Sequence, residues 1–325
     1  MIDSYIKYLS NVRRYSLRTC EVYRDSLERF ERWTVGEEGG KLDAKDLNVN
    51  AIRNWEVWLM DDCAMNAKTT GLHLSILSGF CRFLIKAGKL KSNPALLVKR
   101  PRTEKRLPVF YREDAMEKYF SESAHAASRE ELEIQISAKG TPLEKELYER
   151  RLRRLIISLL ANTGIRRSEL LSLRLDAISF SRSSLRVRGK GDKEREIPLV
   201  RSLAEEIALY MESLEALLGE LPESSGPLLR TAGGKALYPV WVDRAVKKEL
   251  GDAEGISGQK SPHILRHTIA TELLSDGSDI NSIKEMLGHS SLAATQVYTH
   301  NSVERLKQVY RNAHPRAGED PQEKG

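Results

Sequence analysis

Between residues 92 and 112 the chain reads SNPALLVKRPRTEKRLPVFYR, and this stretch constrains the fold more than any other. Pro94, Pro101 and Pro108 each remove a backbone donor and fix φ, so no helix runs through the segment. It reads as an extended linker, and the sequence on either side must close its own core. The full length of 325 residues fits that division, at roughly 100–200 residues per domain. The expected organisation is a first domain over residues 1–92, a basic linker over 93–112, a second domain over 113–314 and a flexible tail over 315–325.

The first hundred residues carry four helical patterns. Tyr5, Leu9 and Val12 mark the first, and Tyr23, Leu27 and Phe30 the second, with Ser16 as its N-cap. Ile52, Trp55 and Leu59 mark the third. Leu74, Leu77, Cys81 and Leu84 mark the fourth, which Gly88 is placed to end. Four amphipathic helices suffice for a small bundle. In the second domain, residues 121–150 are rich in charge and are expected to be helical in part and mobile in part. An apolar helix with Leu155, Ile156, Leu159 and Leu160 then ends at Thr163-Gly164. SLRVR and REIPL flank GKGDKE, a hairpin signal. Leu203, Ile207, Tyr210, Leu214 and Leu217 trace another helix, and Asp279 is placed to cap one carrying Ile280, Ile283 and Leu287. The fold class is therefore mainly α with a small β-hairpin.

Charge narrows the function. The formal net charge is only +6, but ten basic residues and a single acid, Glu104, fall between residues 82 and 112. Arg82, Lys86, Lys89, Lys91, Lys99, Arg100, Arg102, Lys105 and Arg106 form a stripe suited to releasing counterions from a phosphate backbone. A solvated linker is the plain alternative. No apolar run approaches the roughly 20 residues a membrane helix needs, and the N-terminus lacks a signal-peptide core. Cys20, Cys63 and Cys81 are too scattered for a disulfide scaffold or a thiolate metal site. A cytoplasmic setting is expected.

Four segments carry chemistry. TGIRRSEL puts Arg166 in a turn between apolar helices, with Glu169 at i+3 to hold it. Gly189-Lys190-Gly191 sits on the hairpin turn. PHILRH sets His263 and Arg266 at i, i+3, with no adjacent acid to pair them, which points to an anionic ligand. His267, one turn from His263, reads as structural. Leu287-Gly288-His289 is followed nine residues later by Tyr298. Read one at a time, each segment has an ordinary structural explanation. There is no P-loop, GxSxG elbow, HExxH pair or carboxylate dyad, which argues against nucleotide hydrolysis by that route and against common hydrolase chemistries. What remains is a cationic pocket with a hydroxyl nucleophile, suited to phosphoryl transfer.

TGIRRSEL, GKGDKEREIPL, PHILRHTIATELL and LGHSSLAATQVYTH, in that order, resemble the tyrosine recombinase (phage integrase) family, and within it the Xer type. The resemblance covers nearly the whole chain. It implies a SAM-like core-binding domain of four helices and a mostly helical catalytic domain. It also implies roles: Arg166 and Arg266 on the scissile phosphate, Lys190 as general acid for the 5′-hydroxyl, His263 assisting proton transfer, His289 bonding the phosphate and Tyr298 as nucleophile. The implied product is a 3′-phosphotyrosyl link that keeps the bond energy, so no cofactor, metal or ATP is called for.

The implied partner is double-stranded DNA with a specific core site, held by a homo- or heterotetramer, with room for a partner recombinase or a DNA translocase and no membrane. The implied task is chromosome dimer resolution or simple mobile-element integration, excision or inversion. The segment from Ser302 resembles a helix that docks into a neighbouring protomer. Two departures stand out. Residues 121–150 look longer than the Xer pattern, as an insertion would, and no arm-binding domain precedes residue 1, which favours a simple core-site enzyme. A type IB topoisomerase with similar chemistry, or a non-catalytic DNA-binding factor, are the competing readings.

Overall fold

The computed structural model describes residues 1–36, 40–102, 109–189 and 193–288. The chain divides into two units, Met1–Arg106 and Leu107–Gly325.

In the first unit the four expected helices are α1 (Ile2–Asn11), α2 (Leu17–Val35), α3 (Val49–Asp61) and α4 (Ala67–Lys86). Three begin at polar caps that accept an otherwise orphaned backbone N–H: Ser16 from Thr19, Asn48 from Ala51 and Asn66 from Thr69. Leu27, Phe30, Ile52, Trp55, Leu59, Leu77 and Phe80 are fully buried, with Phe30 edge-on to Trp55 at 4.9 Å. Val12, expected on the core face of α1, is instead 67% exposed. It is the C-cap of the helix, one position past the turn that packs. Gly88, just beyond α4, takes φ +69°, as an ending glycine should.

The expected linker is not extended at its start. Asn93 bonds the Ser78 carbonyl and hydroxyl at 3.1 and 3.0 Å and caps a short 3-10 turn over Pro94–Leu96. Pro94, Ala95 and Val98 are buried, with Ala95 and Val98 in the bundle core. A proline at the first position of a turn suits its fixed φ, so Pro94 starts structure here rather than stopping it. At the other end Tyr111 is buried in the second unit, its N–H on the Thr268 hydroxyl at 2.9 Å.

The second unit contains α5 (Glu113–Glu122), α6 (Arg129–Ser137), α7 (Pro142–Thr163), α8 (Arg167–Leu171), β1 (Ile178–Ser179), β2 (Ser184–Arg188), β3 (Glu194–Pro198), α9 (Arg201–Leu218), α10 (Pro239–Gly251), α11 (Pro262–Ser275) and α12 (Ile280–Leu287). The long α7 is its axis, buried almost continuously from Arg151 onward and packed against α6, α9, α10 and α11. The polar stretch 121–150 is helical over most of its length and packs into the core. Leu132 and Gln135 of α6 are buried, and Gln135 exchanges hydrogen bonds with Ser213 of α9. The charges of this stretch disguise a core face: Glu131 and Glu144 are themselves buried.

The strands form an antiparallel sheet in the order β1-β2-β3. Leu185 faces Ile197 and Val187 faces Arg195 in the register of β2 and β3. All four are buried, so an arginine occupies a core-facing position of the hairpin. Among the described residues no helix is long and apolar enough to cross a membrane.

Candidate active site

Gly164 ends α7 in the left-handed conformation, φ +60°, and turns the chain so that Arg166 becomes the N-cap of α8. A Cβ on Gly164 would lie 2.5 Å from Leu287 and 3.0 Å from Ile269. Both the dihedral and the space require glycine. Gly164→Ala is expected to cost about 2–4 kcal/mol, combining left-handed strain with overpacking, read as a lower urea midpoint at unchanged m-value. A midpoint equal to that of the unchanged protein would refute this packing.

Arg166 donates to Glu169 at 2.8 Å and to the Gly288 carbonyl at 2.6 Å. Its own backbone N–H bonds the same carboxylate at 2.7 Å, so Glu169 holds Arg166 by main chain and side chain together. The sequence expected this pairing. Arg195, which the sequence reading passed over, supplies the other half: two hydrogen bonds to Glu169, at 3.0 and 2.8 Å, and one from Nε to the Met286 carbonyl at 2.7 Å. Its signal was the inward alternation of Arg195, Ile197 and Leu199 in REIPL, all buried.

Arg266 of α11 is only 4% exposed. It donates to the Gly164 carbonyl and to the Leu287 carbonyl, both at 2.5 Å. Among the described residues no carboxylate forms an ion pair with it. Burial, followed by the neighbouring Arg166 charge, pushes its pKa down to about 10, so it remains cationic at neutral pH. Burial alone would raise the Glu169 carboxyl, but the bonds from Arg195 and Arg166 outweigh it and hold Glu169 below the usual carboxylate range. The stability from this depressed group is therefore complete above the ordinary carboxylate value and lost as pH falls through the lowered one. Two guanidinium groups thus bond one carboxylate while the third, Arg266, bonds only carbonyls, and the surplus among the described residues is positive.

His263, on the first turn of α11, is exposed while Arg266 is buried, so the two differ in access although they are three residues apart. His263 meets His267 with Nε2 atoms 3.2 Å apart and rings edge-to-face. One ring must donate and the other accept, which gives His267 a contact with the candidate site beyond mere packing.

Lys190, His289 and Tyr298 lie outside the described residues, as do Lys105, Arg106 and the segment from Ser302. Their neighbours in the chain are informative. Gly189 lies beside Glu169 and Arg195, and Gly288 accepts from Arg166. Gly189 and Gly288, the described residues that precede Lys190 and His289 in the chain, both lie at the arginine cluster. In the first unit Arg82, Lys86, Lys89, Lys91, Lys99, Arg100 and Arg102 are all exposed.

Residues 146–305 match the phage integrase family, and residues 2–88 match the phage integrase N-terminal SAM-like domain. Tyrosine recombinase XerC of Chlorobaculum tepidum is 31% identical over 97% of this chain and 94% of its own length. The chain belongs to the phage integrase family of tyrosine recombinases. It is a tyrosine-type site-specific DNA recombinase. XerC of Bacillus licheniformis is 33% identical over 96% of this chain and 95% of its own. In fold the recombinase is similar to the XerH recombinase bound to palindromic difH substrate in a post-cleavage complex. That match has a TM-score of 0.63 at 19% identity, over 94% of this chain and 82% of the other. A lambda integrase tetramer bound to a Holliday junction gives 0.61 at 19% identity, over 91% and 79%.

Proposed function

We propose that this recombinase cuts and rejoins duplex DNA at a specific core site, within a tetramer, and that its task is the resolution of chromosome dimers. The observation that carries the chemistry is the buried surplus of positive charge. Arg266 is sequestered from water beside Arg166, and among the described residues a single carboxylate, that of Glu169, is bonded within the cluster of three guanidinium groups. A phosphodiester supplies the missing anion, and its charge grows toward the pentacoordinate transition state, where charge-assisted bonds act most strongly.

In this reading the Tyr298 phenol oxygen attacks phosphorus, and the bond to the 5′-oxygen breaks. Lys190 gives its proton to that oxygen, while His263 takes the phenol proton and His289 bonds a non-bridging oxygen. A 5′-hydroxyl from the partner strand then reverses the sequence. The phosphotyrosyl link conserves the bond energy, so neither ATP nor a metal enters. Arg82, Lys86, Lys89, Lys91, Lys99, Arg100 and Arg102, continued by Lys105 and Arg106, bind the phosphate backbone with a strong salt dependence. The tetramers and DNA complexes named for the structural neighbours, and the XerC relatives over nearly full length, support this assignment over relaxation by a lone enzyme.

The test is to trap covalent protein–DNA adducts in host cells and sequence the attached 3′ ends. One peak opposite the replication origin is expected. Peaks at the ends of a mobile or invertible element would replace dimer resolution by integration or inversion. Scattered adducts would favour a topoisomerase.

A further inference from the structure

Arg195 has no part in that chemistry, yet its guanidinium bonds two elements of the site's framework at once. It is 6% exposed and projects from the inward face of β3. It bonds both oxygens of Glu169 on α8 and the Met286 carbonyl near the end of α12. A Cβ at Gly288 would stand 3.0 Å from its Nη1, and one at Gly189 would stand 3.5 Å from the same atom. The residues preceding Lys190 and His289 thus pack against one planar cation.

The sharing of Glu169 matters most. Oε1 accepts from both Arg166 and Arg195, while Oε2 accepts from Arg195 and from the Arg166 backbone. A carboxylate filled from two sides cannot turn to chelate Arg166 with both oxygens. Resting on the reading that Arg166 binds the reacting phosphate, we propose that Arg195 is a positioning residue. It divides the charge of Glu169 so that the Arg166 guanidinium stays available to phosphate, and it fixes the backbone at Gly288 where Arg166 is anchored. Without Arg195, Glu169 closes on Arg166 as a bidentate pair and quenches the charge that the reaction needs.

The alternative is a buried ion pair that only stabilises the fold. The two separate in a single-turnover assay of the full chain on a nicked duplex bearing the sequence recovered from the cellular adducts. Arg195→Lys keeps the charge but cannot span both oxygens and the Met286 carbonyl. It is expected to slow cleavage about tenfold or more, and Arg195→Met about 100-fold, the scale of a lost electrostatic contact. Duplex Kd should stay within about threefold for both, since phosphate contacts along the backbone dominate affinity.

The pH profile discriminates further. Glu169 is faced by Arg166 from the turn after α7, by Arg195 from β3 and by Arg266 from α11. With the Arg195 bonds gone, burial is opposed by the Arg166 bonds alone, so the carboxyl rises, and protonating it releases Arg166; the cleavage deficit of Arg195→Met should therefore narrow as the pH is lowered. Cleavage at the unchanged rate in either folded variant would overturn the proposal. So would a loss wholly in Kd, or a loss that tracks the folded fraction with an unmoved pH profile. If Arg195→Met does not fold, Arg195→Lys decides by the same criteria. A Tyr298→Phe control that still forms adducts would overturn the underlying chemistry and this proposal with it, and is read separately.

Discussion

Tyr298→Phe is expected to bind duplex DNA like the unchanged protein and to form no covalent adduct. Only one oxygen is removed, so backbone contacts, which carry most of the affinity, should keep Kd within about twofold. The missing oxygen is the proposed nucleophile. Its ordinary pKa of about 10 leaves little phenolate at neutral pH, and in the proposed chemistry the arginine surplus favours the ionised form. Adduct yield should fall by about 10⁴-fold or more, the scale reached when a covalent catalyst loses its attacking group. Gel-resolved adduct on a nicked duplex, beside a filter-binding Kd, reads both quantities. Adducts surviving in this variant would move the nucleophile to another side chain.

Arg266→Met should separate catalysis from folding. The substitution removes a buried cation that repels Arg166, which favours the fold, but strands the Gly164 and Leu287 carbonyls, at about 1–3 kcal/mol for each unsatisfied group. These contributions oppose one another, so the net loss of stability is expected to stay near 2 kcal/mol. Cleavage should fall by about 10²–10³-fold, as for removal of one donor to a developing oxyanion. Arg266→Lys keeps a charge without the fork that reaches two carbonyls, and should recover only part of the rate. Urea unfolding and single-turnover cleavage give the two numbers. A folded Arg266→Met that cleaves within threefold of the unchanged rate would remove Arg266 from the phosphate site.

Much of this architecture is legible in the sequence because periodicity and caps agree. Leu27, Phe30, Ile52, Trp55 and Leu59 announce their helices by spacing alone, and all are buried. Ser16 and Asp279 announce helix starts and accept the expected backbone N–H groups. The Arg166–Glu169 pair follows from i, i+3 geometry. The hairpin is legible from its turn, but the two-residue β1 beside it is too short to leave a pattern.

The failures share a physical cause. Residues 121–150 look like surface because their buried positions include Glu131, Gln135 and Glu144, and polar residues are ordinarily evidence of exposure. Arg195 hides in the same way, within the run Lys193, Glu194, Arg195 and Glu196, where only the alternation of the strand marks it as inward. Pro94 misleads in the opposite direction, as punctuation that opens a turn. Sequence patterns read apolar cores well, and they misread cores that are built around charge.

Arg266 has a consequence for how this molecule is handled. A cation that is held in the interior with no carboxylate bonded to it among the described residues, and repelled by Arg166, carries internal repulsion that an anion in the site would relieve. An anion that fits there is expected to bind the folded chain and not the unfolded one, and so to raise the melting temperature with the logarithm of its concentration above its Kd. Resistance to unfolding and grip on the substrate are then two readings of one free energy. The recombinase is expected to be at its most robust when a strand occupies it, and sulfate or phosphate in a storage buffer to inhibit it weakly for the same reason that it stabilises.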